Sequence, residues 1–178
     1  MYEAAALLRL LDVPVRWVAA DALHLTLQFL GRVADDAVAE IEAALARAAA
    51  EVAPFHAQVG GVGAFPTFAR ARVIWIAVEP ATPLLALQQR VASELAPLGF
   101  VPEERPYAPH VTLGRARQGA RAAELAGLAA AAARVDYRGT LRAGHVDLMQ
   151  STPSPAGARY DVRAALPLGS GPQDVIAC

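Results

Sequence analysis

The sequence predicts an α+β domain with mostly antiparallel sheet and an approximate internal two-fold. Three observations lead there. Strand-like and helix-like segments are interspersed, but not in the strict alternation that a parallel sheet requires. Several segments alternate apolar and polar residues with the period of a half-buried strand. And one short pattern occurs twice: "HLTLQFLG" begins at His24 and "HVTLGR" at His110. The two histidines stand 86 residues apart in a chain of 178, close to half its length. A helical stretch follows each. A duplication accounts for both facts and places the two strands as partners across one groove.

The elements follow in order. Residues 3–12 read as a helix and 15–19 as a short strand. "LHLTLQFL" sets Leu23, Leu25, Leu27 and Phe29 against His24, Thr26 and Gln28, which predicts a strand with one apolar and one polar face. Residues 34–50 are helical, with Asp35 or Asp36 suited to cap the first turn. "FHAQVGGVGAF" reads as a strand ending in a glycine-rich turn, and "PTFARAR" as a loop. "VIWIAV" at 73–78 has the β-branched and aromatic content of a buried strand. "PLLALQQRVASEL" is a second amphipathic helix. "PEERPYAP" is a loop with three prolines that delivers the chain into "HVTLGR". The alanine-rich stretch 119–133 predicts a helix. "RVDYRGTL" and "HVDLMQS" are strands, "TPSPAG" a turn and "ARYDVRAALPL" a last strand, with 169–178 expected to be a flexible tail.

Composition narrows the function. Apolar residues make up 55% of the chain, enough for a sizeable core. The net charge of −1 argues against a surface that coats DNA or RNA, though not against a site that grips one phosphate. The single cysteine, Cys178, forms no intramolecular disulfide and no cysteine-rich metal site, which fits a reducing cytoplasm. No run approaches the ~18 apolar residues of a membrane span. "EAAALLRLL" lacks the basic lead-in and cleavage site of a signal peptide.

The repeated pattern carries the chemistry. On a strand, residues i and i+2 share a face, so His24 points with Thr26 and His110 with Thr112. Two such strands offer two imidazoles and two hydroxyls to one cavity. Imidazole titrates near neutrality, so one can be neutral while the other is protonated. A base and an acid on opposite sides of a phosphorus atom suffice for an in-line displacement without a metal. The hydroxyls can donate to non-bridging phosphate oxygens. Zinc is the rival reading, but His24 and His110 supply two ligands where a catalytic zinc normally has three, and no cysteine or evident third histidine stands in a suitable motif. No metal and no other cofactor is therefore expected. Gly60–Gly63 lacks the following helix and lysine of a phosphate-binding loop.

With these motifs, and with "VRWVAADALHLTLQFLG", "GVGAFP", "RVIWIAV", "RPYAPHVTLGR" and "STPSPAGARYDV" along most of the chain, the sequence resembles the two-histidine (2H) phosphoesterase superfamily. The nearer likeness is to its bacterial and archaeal RNA 2′,3′-cyclic phosphodiesterases, also called 2′-5′ RNA ligases. The resemblance implies a bilobal domain over 1–168, with antiparallel sheets lining a central groove and helices packed outside. It implies metal-independent hydrolysis of an RNA-terminal 2′,3′-cyclic phosphate to a 2′-phosphate, with His24 as acid and His110 as base. It also implies that ends can be joined reversibly through a 2′-5′ bond, by a displacement of the same kind. Members usually open with a strand resembling "RLFVAL". Here Met1 leads almost at once into helix, so the sheet carrying one of the motifs is expected to lack a strand.

Three further residues are candidates for substrate binding. The resemblance places Arg115 on the phosphate. Strict alternation from His110 puts it on the other face, but Gly114 permits a bend. Phe29 follows His24 by five residues, as Arg115 follows His110. It either stacks on the terminal base or packs in the core. Tyr107 either borders the groove or packs against the core. His56 and His145, without a threonine partner, are expected to have no chemical role, and Trp17 and Trp75 are expected in the core. The expected partner is an RNA 3′ end bearing a 2′,3′-cyclic phosphate, with a monomer the favoured state. Two alternatives stand beside this: a cyclic phosphodiesterase for a small nucleotide, and a non-catalytic module that binds RNA ends. The intact histidines and threonines argue against the second, because arginine or lysine would serve a pure binder as well.

Overall fold

The computed structural model describes residues 2–154 and 157–169. Its regular elements are α1 (Ala6–Arg9), β1 (Val15–Trp17), α2 (Val38–Ala50), β2 (Phe55–Phe65), β3 (Val73–Val78), α3 (Thr82–Leu95), β4 (His110–Ala116), α4 (Leu128–Ala133), β5 (Arg138–Ala143), β6 (His145–Ser154) and β7 (Gly157–Pro167), with short 3-10 turns between them. The α+β class with antiparallel sheet is as the sequence predicts. The chain forms two compact units. The predicted tail falls on 170–178 apart from Gly169, and those residues lie outside the described ones, as does the tip of the predicted turn at 155–156.

The first unit combines residues 1–26, 58–79 and 108–141. It holds most of a five-stranded sheet in the order β1-β4-β3-β2-β5. β3 fits its central place. Ile74, Ile76 and Val78 are almost fully buried on one face, while Val73, Trp75 and Ala77 alternate onto the other. Beneath the first face, Leu8, Val15, Ile74, Leu125 and Leu128 form a core that the half-buried Trp17 also joins. The second unit combines 27–57, 80–107 and 142–178. There α2 packs on α3, burying Ile41 and Leu45 together with Leu84, Leu87 and Val91. The β6–β7 hairpin packs against α2. Among the described residues, no helix is long and apolar enough to cross a membrane.

Four expectations need correction. The predicted strand at 23–30 is reduced to one bridge, Leu25 to Val111. A 3-10 turn at Ala20–Ala22 interrupts the chain before it, and from Leu27 onward the chain belongs to the second unit. Local alternation was present; a partner strand was not. The glycines at 60–63 do not turn the chain but continue β2. Gly61, at φ +74°, is the extra residue of a bulge between the Gly60–Ala77 and Val62–Ile76 pairs. A side chain at Gly60 would overlap Arg138, and one at Gly63 would overlap the Trp75 ring. The predicted helix at 119–133 is split into a 3-10 turn, Ala122–Leu125, and α4, because Gly127 takes the left-handed conformation at φ +86°. Asp35 and Asp36 make no cap; they lie in the first turn of a 3-10 segment that Ala34 precedes.

Candidate active site

Both His-x-Thr segments belong to the first unit. In β4, Val111 and Leu113 are buried, at 0% and 1% exposure, while His110 and Thr112 alternate onto the opposite face and remain partly open. The bridge from Leu25 to Val111 is antiparallel. Residues flanking a paired position point to the opposite face of a sheet. His24 therefore lies toward Thr112 and Thr26 toward His110, and all four side chains leave the face opposite Leu25 and Val111.

The two histidines share a second feature that the sequence did not announce. His24 Nδ1 donates to the carbonyl of Ala22 at 2.9 Å, and His110 Nδ1 donates to that of Ala108 at 2.7 Å. In each case the carbonyl lies two residues upstream. A carbonyl only accepts, so both rings carry their proton on Nδ1. Nε2 of each ring then carries a lone pair when the ring is neutral and an N–H donor when it is charged.

Arg115 joins them through a bulge. β3 and β4 pair Ile74 with Gly114 but Trp75 with Thr112, so Leu113 is one residue too many. Leu113 and Gly114 are consecutively buried, and the alternation changes phase there. Arg115 pairs with Val73, whose neighbours on that face are Trp75 and Ala77. It therefore emerges, exposed, on the face of His110 and Thr112. Gly114 is required for this. A Cβ there would lie 2.8 Å from Val15 and 2.7 Å from Trp17.

Two aromatic residues complete the face. Phe65 meets His110 edge-on at 5.1 Å between ring centroids, and Trp75 lies 5.0 Å from Phe65 and 6.2 Å from His110. These contacts orient the His110 ring from the side. Trp75 was expected in the core; instead it stands half-buried opposite Thr112, over Gly63. Its indole Nε1 is buried without a hydrogen-bond partner among the described residues. The signal that could have found it is the alternation within β3, which an all-apolar strand conceals.

The remaining candidates lie in the second unit. Phe29 is 68% exposed, so its reading as a core residue fails. Tyr107 is half-buried, and burial raises its phenol well above the ordinary value, so it stays a hydroxyl donor throughout the working range. His56 and His145 are also in that unit, the latter 3.3 Å from Asp147. Among the described residues, no three His, Cys, Asp or Glu side chains group as a metal site would require.

Comparison with known proteins agrees with this geometry. An RNA 2′,3′-cyclic phosphodiesterase of Methanothermobacter thermautotrophicus is 34% identical over 149 residues, covering 84% of this chain and 80% of that protein. One from Aeropyrum pernix is 39% identical over 110 residues, which is 61% of each chain. A crystal structure of a Thermus thermophilus protein superimposes with a TM-score of 0.78 at 27% identity, over 95% of this chain and 89% of its own. Residues 9–154 match the sequence model of the 2′-5′ RNA ligase superfamily. With paired His-x-Thr segments that meet in one sheet, the chain belongs to that superfamily.

Proposed function

We propose that the protein hydrolyses the 2′,3′-cyclic phosphate at an RNA 3′ end to a 2′-phosphate, without a metal. The observation that carries the reading is the common face of His24, Thr26, His110 and Thr112, with both imidazoles anchored through Nδ1 and working through Nε2. The relatives named as RNA 2′,3′-cyclic phosphodiesterases support the same substrate.

Water attacks phosphorus opposite the ribose 3′-oxygen. His110 Nε2 takes the proton from water as the P–O bond forms. The bond from phosphorus to O3′ breaks, and His24 Nε2–H protonates the departing oxygen. The products are a 2′-phosphomonoester and a free 3′-hydroxyl. The hydroxyls of Thr26 and Thr112 and the Arg115 guanidinium donate to the non-bridging oxygens, whose charge grows in the transition state. A 5′-hydroxyl in place of water gives a 2′-5′ linkage by the same steps. Phe29 and Tyr107 are assigned to the RNA, the one by stacking on a base and the other by its hydroxyl. We assign the reaction to the cytoplasm, a reading that the single cysteine of the sequence supports.

The test is incubation of a short RNA ending in 2′,3′-cyclic phosphate with excess EDTA, followed by identification of the product. A 2′-phosphate is expected. Activity abolished by EDTA and restored by zinc overturns the metal-free reading. Turnover of cyclic mononucleotides but not of RNA moves the substrate to a small nucleotide.

A further inference from the structure

The same face carries a second exposed guanidinium that the reaction does not use. β1 is an edge strand of the five-stranded sheet, and its Arg16 pairs directly with Arg115 of β4. Directly opposed residues of an antiparallel pair point to one face, and like charges placed so are destabilising. Charge is not compensated locally. Among the described residues, Arg47, Arg90, Arg105, Arg121 and Arg159 each have a carboxylate within 4 Å. Neither Arg16 nor Arg115 makes an ion pair among those residues. The stripe continues: the N–H of Arg117 donates to the carbonyl of Pro14 at 2.7 Å, which extends the register and returns Arg117 to this face. Three guanidiniums thus occupy two adjacent rows in a chain whose net charge is −1.

An anion bound between the guanidiniums would offset their repulsion. Arg115 stands next along β4 from Thr112 and serves the reacting phosphate. Arg16 is displaced one strand toward the β1 end of the sheet, so an RNA chain that crosses that end meets it before Arg115. We propose that Arg16 holds the phosphodiester one nucleotide inward from the reacting phosphate, and so makes the enzyme select RNA chain ends over cyclic mononucleotides. The proposal rests on the hydrolytic reading above. A guanidinium suits a phosphodiester because it donates two parallel hydrogen bonds to neighbouring oxygens.

The experiment compares a tetranucleotide ending in 2′,3′-cyclic phosphate with adenosine 2′,3′-cyclic phosphate, which has no second phosphate. In Arg16→Gln, the ratio of kcat/KM for the tetranucleotide to that for the nucleotide should fall about ten-fold, as for one lost charge-assisted contact. The slope of log kcat/KM against log salt for the tetranucleotide should drop by about one unit. Arg16→Lys should recover the salt slope and part of the ratio. An unchanged ratio in Arg16→Gln, whether both substrates lose equally or neither does, overturns the proposal. If the wild type hydrolyses neither substrate, the hydrolytic reading is what has failed. Arg16 is then judged by fluorescence anisotropy with a tetranucleotide ending in 2′-phosphate, competed by adenosine 2′-monophosphate. Relative affinity for the tetranucleotide should again fall about ten-fold; equal affinities in wild type and variant overturn the proposal.

Discussion

The two His-x-Thr segments share a motif but not a backbone. His110 and Thr112 lie on a seven-residue strand whose neighbour β3 pairs along most of its length. His24 and Thr26 flank a single bridge, preceded by a 3-10 turn. Yet each imidazole is tied through Nδ1 to the carbonyl two residues upstream. The comparison teaches that the motif does not require a strand. It needs one paired residue between the histidine and the threonine, which sends both to the same face, and a carbonyl at the right distance before them.

The largest test of that equivalence is removal of either imidazole. His24→Ala and His110→Ala should each lower turnover by ~10²-fold or more. The double variant should be little worse than either single one, because the two act as a unit. Losses that multiply would break the pairing. The pH–rate profile of the wild type should be bell-shaped, with limbs that belong to the coupled pair. A profile flat from about pH 5 to 9, with chemistry rate-limiting, would count against an acid and a base of this kind.

Next in size is Arg115, the bulged residue that gives β4 a group the other segment lacks. Arg115→Lys keeps the charge but loses the planar fork. We expect kcat/KM to drop about ten-fold, the scale of one charged hydrogen bond. Full activity in the lysine variant would reduce Arg115 to a point charge.

The aromatic support of His110 is broken more gently. Gly63→Ala must displace the Trp75 ring, at a cost of ~1–3 kcal/mol for an overpacked site. A lower melting temperature should accompany a fall in kcat larger than the change in KM, since the displaced ring lies beside His110. A change in stability alone would confine Trp75 to packing.

The smallest effect on the fold belongs to Phe29, which follows His24 as Arg115 follows His110. At 68% exposure, Phe29→Leu should change stability by less than ~0.5 kcal/mol. It should weaken binding of a 2′-phosphate-ended RNA by the ~1–3 kcal/mol of a base stack. Thermal melting beside an affinity measurement separates the two. Unaltered affinity would leave Arg115 without a counterpart in the other segment.

Where period and packing agree, the sequence was legible. β3 is found at the predicted residues 73–78, and α2 and α3 differ from their predicted spans only at the ends. Spacing alone put each histidine on the face of its threonine, and the Leu25–Val111 bridge gives the same faces. The failures within the sheet have a common cause, which is that a strand is defined by its partner. Alternation at 23–30 promised a strand, but among the described residues of that segment only Leu25 forms a β-bridge. The glycines of β2 resembled a turn because their reason for being small, the Arg138 side chain and the Trp75 ring, comes from other strands. Strict counting turned Arg115 away from the face of His110 and Thr112 because it does not see the extra residue at Leu113. Gly114 was the one local hint, and it was the right one.

The shared Nδ1 anchor has a kinetic consequence. In the proposed reaction one proton passes from water to His110 while another leaves His24 for the ribose. Each turnover thus ends with the charge on the opposite ring from the one where it began. Because both rings hold the same tautomer, this spent form is the mirror of the starting form and is competent only for the backward reaction. It must exchange protons with solvent before it accepts another cyclic phosphate. The released 2′-phosphate product is therefore bound by a different protonation isomer from the one that binds substrate. When that exchange is slow relative to chemistry, product inhibition becomes noncompetitive although both molecules occupy a single site.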